Sequence, residues 1–177
     1  LGVKNNIIRN LIRRDATVLR VPWVYDFLQE SYDGLFISNG PGDPKMADVA
    51  INRIAKAINR TQPIMGICLG TQLMALGTGA NTYKLKYGHR SHNQPVFHHE
   101  SEKSYITSQN HGFAIDMDTL SNDWQVTFTN LNDQTCEGIR HKEESVFAVQ
   151  FHPEASSGPV DTEFLFDQFI EQVKTRI

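Results

Sequence analysis

The sequence predicts an α/β domain of three layers, with a mostly parallel central sheet, helices on both faces and an extra antiparallel strand region in the second half. Short apolar segments alternate with amphipathic helical segments in the first half of the chain. These apolar segments are continuous, as in strands that are buried on both faces. In the second half, strand-like segments follow one another with only polar turns between them, which is typical of antiparallel pairing.

The first half begins with a helical pattern, because the apolar residues of segment 3–12 recur on one helix face. A β-branched segment at residues 17–21 then predicts a strand that Pro22 ends. Further strands are predicted at residues 34–38 and 63–67, and further helices at residues 46–60 and 69–76. Strands and helices in this order form a parallel sheet with crossover helices, here of the flavodoxin-like type.

The second half is rich in strands and ends in a helix. The helix is predicted at residues 162–176, where Phe164, Leu165, Phe169, Ile170 and Val173 form its apolar face. The strands are predicted at residues 83–87, 96–98, 104–108, 125–129, 137–140 and 146–151.

The length of 177 residues fits a single domain with a sizeable core. A doubly wound domain normally begins with a strand, whereas this chain begins with a helix. We therefore expect residues 1–177 to be one domain, and a fragment that lacks its first strand and an amino-terminal domain.

Composition excludes several classes of function. The formal charge of -3 gives no basic surface for nucleic acid or for an anionic membrane. No apolar run approaches the roughly 20 residues that cross a bilayer. The two cysteines, Cys68 and Cys136, are too few for a disulfide framework. We expect a cytoplasmic protein without a membrane or nucleic-acid partner.

The chemistry centres on Cys68, which stands between a predicted strand and a predicted helix in the sequence GICLG. This arrangement is the cysteine form of the nucleophile elbow. A tight turn strains the nucleophile's backbone and brings the residues on either side of it close together. Glycine is needed at Gly66 and Gly70 because a Cβ at either position would clash. The following helix points free N–H groups at the sulfur and favours its thiolate form. The alternative is a small core cysteine beside packing glycines.

A catalytic cysteine needs a base and a group that orients the base. His152 and Glu154 follow the apolar strand at residues 146–151, at the strand end where ligand sites of parallel sheets gather. We expect His152 to take the thiol proton and Glu154 to fix the imidazole. A histidine near a turn is usually an ordinary surface residue, so the prediction depends on the elbow as well.

These motifs resemble a known family. Residues 66–72 and 150–154 resemble the class I, triad-type glutamine amidotransferases. Four further blocks, at residues 4–9, 38–44, 108–114 and 129–138, resemble the glutaminase domain of carbamoyl phosphate synthetase, as a small subunit or within a fused multifunctional protein. The resemblance runs the whole length of the chain.

The resemblance implies roles for individual residues. Cys68, His152 and Glu154 match the catalytic triad, and the N–H groups of Gly40 and Leu69 match the oxyanion hole. Contacts to the substrate glutamine are implied for Gly40, Gly42, Leu69, Gln72, Asn110, Gly112 and Phe113, with 110–113 as a loop. One departure is Thr71, where the family commonly carries a histidine. We expect it to point away from the triad and to leave activity intact.

The remaining polar residues are expected to be ordinary. His89, His92 and the pair 98–99 suggest a metal site, but no cysteine or paired carboxylate completes one in the sequence, so we expect none. The basic residues of 84–90 are interpreted as a solvated face. His111 is interpreted as a residue that shapes its loop, and Cys136 as a plain strand or turn thiol.

The resemblance implies hydrolysis of L-glutamine, with ammonia passed to a large synthetase subunit or domain for carbamoyl phosphate synthesis. No cofactor is expected in this domain, since ATP and Mg belong to the partner synthetase. Three alternatives stay open: the glutaminase of another synthetase, of anthranilate or GMP type; a stand-alone cysteine hydrolase or peptidase; and a catalytically silent regulatory domain.

Overall fold

A computed structural model describes residues 1–60 and 62–176. In that part of the chain a seven-stranded sheet has the order β1-β2-β7-β6-β5-β3-β4. The strands are β1 Leu35–Ile37, β2 Ile64–Ile67, β3 Asn81–His98, β4 Lys103–Asp116, β5 Trp124–Asn130, β6 Cys136–His141 and β7 Val146–Val149. The α-helices are α1 Asn5–Ile12, α2 Asp48–Ile58, α3 Leu69–Gly77 and α4 Phe164–Arg176.

The sheet is mixed, with a parallel part and an antiparallel part. Strand β2 lies between β1 and β7 and is parallel to both. From β7 onward every neighbouring pair is antiparallel. The α/β class and the antiparallel second half are confirmed, and the parallel part is limited to three strands. Those three strands are apolar throughout because helices cover them on both sides.

Helices cover both faces of the sheet, as predicted. Helices α2 and α3 pack their apolar faces on one side, in a core that includes Ile54 and Leu73. Helices α1 and α4 pack on the other side, in a core that includes Ile7 and Phe166. The stacked rings of Phe36 and Phe166 join α4 to β1. The result is a three-layer arrangement in which β2 is the middle one of the three parallel strands.

The prediction of a strand at residues 17–21 is wrong, because these residues form no strand in the structure. A strand needs a neighbour for its ladder of hydrogen bonds, and in the described residues β1 is the edge of the sheet and pairs only with β2. Val18 packs on the core beneath α1 and α4, whereas Leu19 is 67% exposed. Residue preference alone therefore did not decide this segment.

The two strands predicted at 83–87 and 96–98 are parts of one long strand, β3, which pairs with β4. Residues 110–113, predicted to be a loop, lie inside β4. The ladder is interrupted between Lys84 and His89, where β3 bulges out. Within this bulge Gly88 has a φ of +71°, and a Cβ there would lie 2.5 Å from the main-chain oxygen of His111. His89, expected in a loop, is thereby buried beside β4.

No helix in the described ranges is both long enough and apolar enough to cross a bilayer.

Candidate active site

Cys68 occupies a sharp bend between β2 and α3. Its backbone has φ 56° and ψ −107°, an unusual conformation for a residue other than glycine. The Cys68 N–H donates to the main-chain oxygen of Val149 at 2.9 Å, which anchors the bend to β7. The turn therefore holds the sulfur at the carboxyl end of the parallel strands, where ligand sites of such sheets form.

The two glycines flanking Cys68 are required by close contacts. A Cβ on Gly66 would lie 2.6 Å from the sulfur of Met74 and 3.1 Å from the main chain of Gly70. A Cβ on Gly70 would lie only 2.2 Å from the main-chain oxygen of Ile37, at the end of β1. Backbone therefore packs directly against backbone around the elbow, as its spacing in the sequence predicts.

His152 and Glu154 lie just beyond β7, beside the elbow. The Nδ1 atom of His152 is 2.7 Å from Oε1 of Glu154, and both side chains are almost completely buried. The carboxylate accepts a hydrogen bond from the N–H group at Nδ1. The other ring nitrogen, Nε2, is therefore the one available to the thiol. The main-chain N–H of His152 donates to the oxygen of Ser108 at 2.9 Å, so that β4 also holds the histidine.

His152 and Glu154 each stabilise the charged form of the other. Burial alone would lower the pKa of His152, but the Cys68 thiol and the Glu154 carboxylate outweigh it and raise the pKa to about 9. Burial alone would raise the pKa of Glu154, but the His152 imidazole and the Lys4 ammonium hold it below its usual value. The site therefore favours an imidazolium beside a carboxylate at neutral pH.

Lys4 is a site residue whose position the sequence motifs do not predict. Its ammonium nitrogen lies 3.4 Å from Oε1 of Glu154 and is about half exposed. Next to it, the Asn6 amide donates to the main-chain oxygen of Glu154. Both residues belong to the first turns of the chain and approach the triad only through the tertiary fold. The sequence carries no local signal for this contact.

Gly40 packs against Leu69, the other residue expected to form the oxyanion hole. A Cβ on Gly40 would lie 2.7 Å from the side chain of Leu69, so glycine is needed there. Leu69 is the first residue of α3, and the first N–H groups of a helix have no partner within it. A free N–H at Leu69, directly after Cys68 in the chain, suits a developing oxyanion.

The residues expected to act on substrate surround one cavity of about 600 Å³, which is large enough for an amino acid. Glu154 is fully buried and contacts His152, not the cavity. Lys84 and Arg90, expected on a solvated face, also line the cavity. The lining residues from the sequence prediction are Gly40, Gly42, Cys68, Leu69, Gln72, Asn110, Gly112, Phe113 and His152.

Gln72 joins the two walls of this cavity. Its side-chain nitrogen donates to the main-chain oxygen of Phe113 at 2.9 Å and to the side-chain oxygen of Gln150 at 2.9 Å. These two bonds use both hydrogens of the amide. The Gln72 oxygen is the atom left to meet a ligand, and it suits an ammonium group.

The β4 segment with Asn110, Gly112 and Phe113 forms the wall opposite the elbow. The main-chain oxygen of Asn110 lies 4.0 Å from Sγ of Cys68. His111 also lines the cavity, and its imidazole bonds through Nδ1 to the main-chain oxygen of Phe113 at 2.8 Å. A strand with an irregular ladder, and not the expected loop, therefore presents these groups.

Two further predictions concern Thr71 and Cys136. Thr71 is fully buried, and its hydroxyl donates to the main-chain oxygen of Val149 at 2.5 Å, so it ties α3 to β7 instead of entering the cavity. Cys136 begins β6 and is fully buried, and burial raises the pKa of its thiol to about 12. Such a thiol stays protonated and unreactive.

Comparisons with known proteins agree with this geometry. The family model of class I glutamine amidotransferases matches residues 1–172. The multifunctional protein URA2 of Saccharomyces cerevisiae is 54% identical over 98% of this chain, which covers 8% of that protein. The arginine-specific small chain of carbamoyl phosphate synthase from Candida albicans is 51% identical over 97% of this chain, which covers 41% of that protein.

A solved structure shows the same fold. The crystal structure of a putative subunit of GMP synthase from Thermoplasma acidophilum is 25% identical, with a TM-score of 0.85 over 97% of this chain and 88% of that one. The match to the family model extends over nearly all of the sequence, and the relatives are similar over the same length. The chain therefore belongs to the class I glutamine amidotransferase family.

Proposed function

We propose that this chain is a glutaminase domain that hydrolyses the side-chain amide of L-glutamine and supplies ammonia for carbamoyl phosphate synthesis. The observation that carries the proposal is the Cys68 thiol at a strained elbow, beside an imidazole that Glu154 orients at 2.7 Å. Relatives that are identical to this chain at about half of the aligned positions are named as carbamoyl phosphate synthase small chain and as multifunctional proteins.

The reaction begins when His152 takes the proton of the Cys68 thiol and the resulting thiolate attacks the amide carbon of glutamine. A C–S bond forms, and the amide oxygen takes the negative charge between the Gly40 and Leu69 N–H groups. When the C–N bond breaks, His152 gives its proton to the departing nitrogen and ammonia leaves. The product of this half-reaction is a thioester on Cys68.

Water completes the reaction. His152 removes a proton from the water as it attacks the thioester, and the C–S bond breaks to release glutamate and the thiolate. One glutamine and one water give one glutamate and one ammonia, so the balance needs no further reactant. We propose that no cofactor takes part in this domain, and that ATP and Mg act in the partner synthetase.

The substrate's backbone groups have matching partners in the cavity. Its ammonium suits the Gln72 oxygen, and its carboxylate suits the N–H groups of the turn at Gly42 and of Gly112 and Phe113. A large synthetase subunit or domain is the proposed partner. We propose a cytoplasmic location, consistent with the two free cysteines, Cys68 and Cys136.

The other synthetases remain the second candidate. The fold neighbour with the GMP synthase name is 25% identical, whereas the small chain of carbamoyl phosphate synthase is 51% identical. The higher identity favours carbamoyl phosphate synthesis. A stand-alone peptidase and a silent regulatory domain are less well supported, because the triad is intact and Gln72 faces the cavity.

The test compares Cys68→Ser with Cys136→Ser in the protein with its synthetase. Glutamate release should fall at least about 1,000-fold in Cys68→Ser, because the hydroxyl is a much weaker nucleophile at neutral pH. Cys136→Ser should keep nearly the parent rate, since that thiol is buried away from the cavity.

The same variants identify the pathway. With ATP and bicarbonate, Cys68→Ser should make carbamoyl phosphate from added ammonium but not from glutamine. Glutamate release at the parent rate by Cys68→Ser would reject the mechanism. Normal glutaminase activity without carbamoyl phosphate from either nitrogen source would reject the assignment to this synthetase.

A further inference from the structure

A buried polar cluster lies behind the β4 wall of the cavity. It consists of His89 on β3, Gln109 and His111 on β4, and Glu137 on β6, and we call it the β4 cluster. All four residues are buried, and Glu137 has no exposed surface. The triad does not use these side chains, although His111 lies between the cavity residues Asn110 and Gly112.

Four atoms of the β4 cluster converge on one point. Nδ1 of His89 is 2.8 Å from Oε1 of Gln109, 3.2 Å from Nε2 of His111 and 3.2 Å from Oε1 of Glu137. Nε2 of His111 is 2.9 Å from the Gln109 oxygen and 3.9 Å from the Glu137 oxygen. Ligand atoms of a tetrahedral zinc site stand roughly 3.3 Å apart, given zinc bonds of about 2.0 to 2.1 Å.

The outer atoms of the two imidazoles fix their protons. Nε2 of His89 lies 2.9 Å from the carboxylate of Asp133, and Nδ1 of His111 lies 2.8 Å from the main-chain oxygen of Phe113. Both partners are acceptors, so each outer nitrogen carries the proton and each inner nitrogen of a neutral ring offers a lone pair. Such outer hydrogen bonds are what orient histidine ligands in metal sites.

The Gln109 amide is oriented in the same sense. Its nitrogen donates to the hydroxyl of Thr107 at 3.1 Å, which turns its oxygen toward the two rings. When neither inner nitrogen carries a proton, two nitrogens and two oxygens face one another with no hydrogen between them, so a positive charge, from a metal ion or from a proton, is needed at their centre.

Glu137 gives a second, independent sign of an absent partner. Its Oε2 atom is fully buried and has no hydrogen-bond partner in the described residues. A buried carboxylate oxygen without a partner is costly, and it is rare in folded proteins. A divalent cation between the rings would balance the charge of this carboxylate.

We propose that His89, Gln109, His111 and Glu137 bind one divalent cation of the zinc class in a closed, structural site. Four protein ligands and no open position are the pattern of structural, not catalytic, zinc. The cation would tie β3 and β6 to the β4 segment that carries Asn110, Gly112 and Phe113. The role of the cation is therefore to keep the β4 wall in its conformation, and the cation takes no part in the reaction at Cys68.

A proton on His89 is the competing occupant, because Glu137 outweighs burial and raises the pKa of His89 to about 9. The test must therefore measure the metal directly. It must also exclude zinc bound by Cys68 and His152, since thiolate and imidazole are good zinc ligands. All variants are for this reason made in Cys68→Ser protein, purified without chelator and without a histidine tag.

Zinc content is measured by elemental mass spectrometry. The affinity for zinc is measured by competition with a chromophoric chelator after the metal has been removed. We expect one zinc per chain in Cys68→Ser, and the visible absorption of a tetrahedral ion when cobalt replaces it. His89→Ala and Glu137→Gln should lose this zinc. The matched control is His99→Ala, a histidine outside the cluster, which should retain it.

Asp133→Asn covers the case in which a core variant fails to fold. Asp133 is partly exposed and bonds directly to His89, while its other carboxylate oxygen accepts from Thr135, so this variant should fold and bind zinc about 10- to 100-fold more weakly. Zinc should also raise the thermal midpoint of Cys68→Ser. Absence of zinc in Cys68→Ser, or unchanged affinity in Asp133→Asn and Glu137→Gln, would overturn the proposal and leave the proton on His89. Neither result depends on glutaminase activity.

Discussion

The two walls of the cavity are held in place by different kinds of contact. On the elbow wall, backbone packs against backbone, and Gly70 leaves only 2.2 Å between a possible Cβ and the oxygen of Ile37. On the β4 wall, side chains position the strand: Gln72 and His111 both bond to the oxygen of Phe113. The first wall carries Cys68, the proposed nucleophile, and allows almost no change. The second wall carries residues proposed to contact the substrate, and at Gly112 it has room for a small side chain.

The largest difference between the walls should appear in Gly70→Ala. The added methyl collides with the main chain of β1, which cannot move as a side chain can, so the elbow must shift. We expect glutamine hydrolysis to fall about 100-fold or more, the usual cost of a misplacement of about 1 Å. The free energy of unfolding should fall by about 3 kcal/mol. Steady-state kinetics and denaturant unfolding measure the two effects.

The matched change on the β4 wall is Gly112→Ala. A Cβ there meets only the Arg90 side chain, at 3.4 Å, and that side chain can move. We expect a higher KM for glutamine, a kcat close to the parent value and unchanged unfolding. If Gly112→Ala lost as much kcat as Gly70→Ala, the distinction between a rigid and an adjustable wall would be wrong.

A smaller effect, confined to the elbow wall, is expected for Glu154→Gln. The neutral amide no longer supports the imidazolium, so kcat should fall about tenfold to 100-fold. The Glu154 carboxylate is one of the groups that raise the pKa of His152 to about 9, so its loss lowers that pKa. His152 is then protonated only at lower pH.

The pH profile of kcat/KM checks the direction of this change in the pKa of His152. In the parent protein, activity that depends on the imidazolium persists below about pH 9 and is lost above it. In Glu154→Gln the alkaline limb should move toward lower pH. A limb that stays in place, or moves to higher pH, would show that Glu154 does not act on His152 in this way.

The difference between the walls also explains what the sequence could predict. The elbow is local: Gly66, Cys68 and Gly70 lie within five residues, and their spacing follows from the geometry of one turn. The strand before it was predicted at 63–67 and is observed at Ile64–Ile67. His152 and Glu154 likewise follow a continuous apolar strand. Such features depend on chain-local sterics and on burial patterns, which a sequence carries directly.

The β4 wall was predicted less well because it depends on pairing between distant residues. The bulge between Lys84 and His89 appears only where β3 meets β4, and it converts an expected loop histidine into a buried one. Lys4 reaches Glu154 across 150 positions of the chain. Residues 17–21 failed to form a strand for the same reason, since a ladder needs a neighbour that composition does not supply.

The most direct test of the central claim uses a chloroketone analogue of glutamine, whose electrophilic carbon takes the place of the amide carbon. We predict that one equivalent modifies Cys68, abolishes glutaminase activity and leaves Cys136 free, and that glutamine protects against it. Peptide mass spectrometry locates the adduct. Continued glutamine hydrolysis by protein whose Cys68 is fully modified would contradict the role of this thiol as the nucleophile.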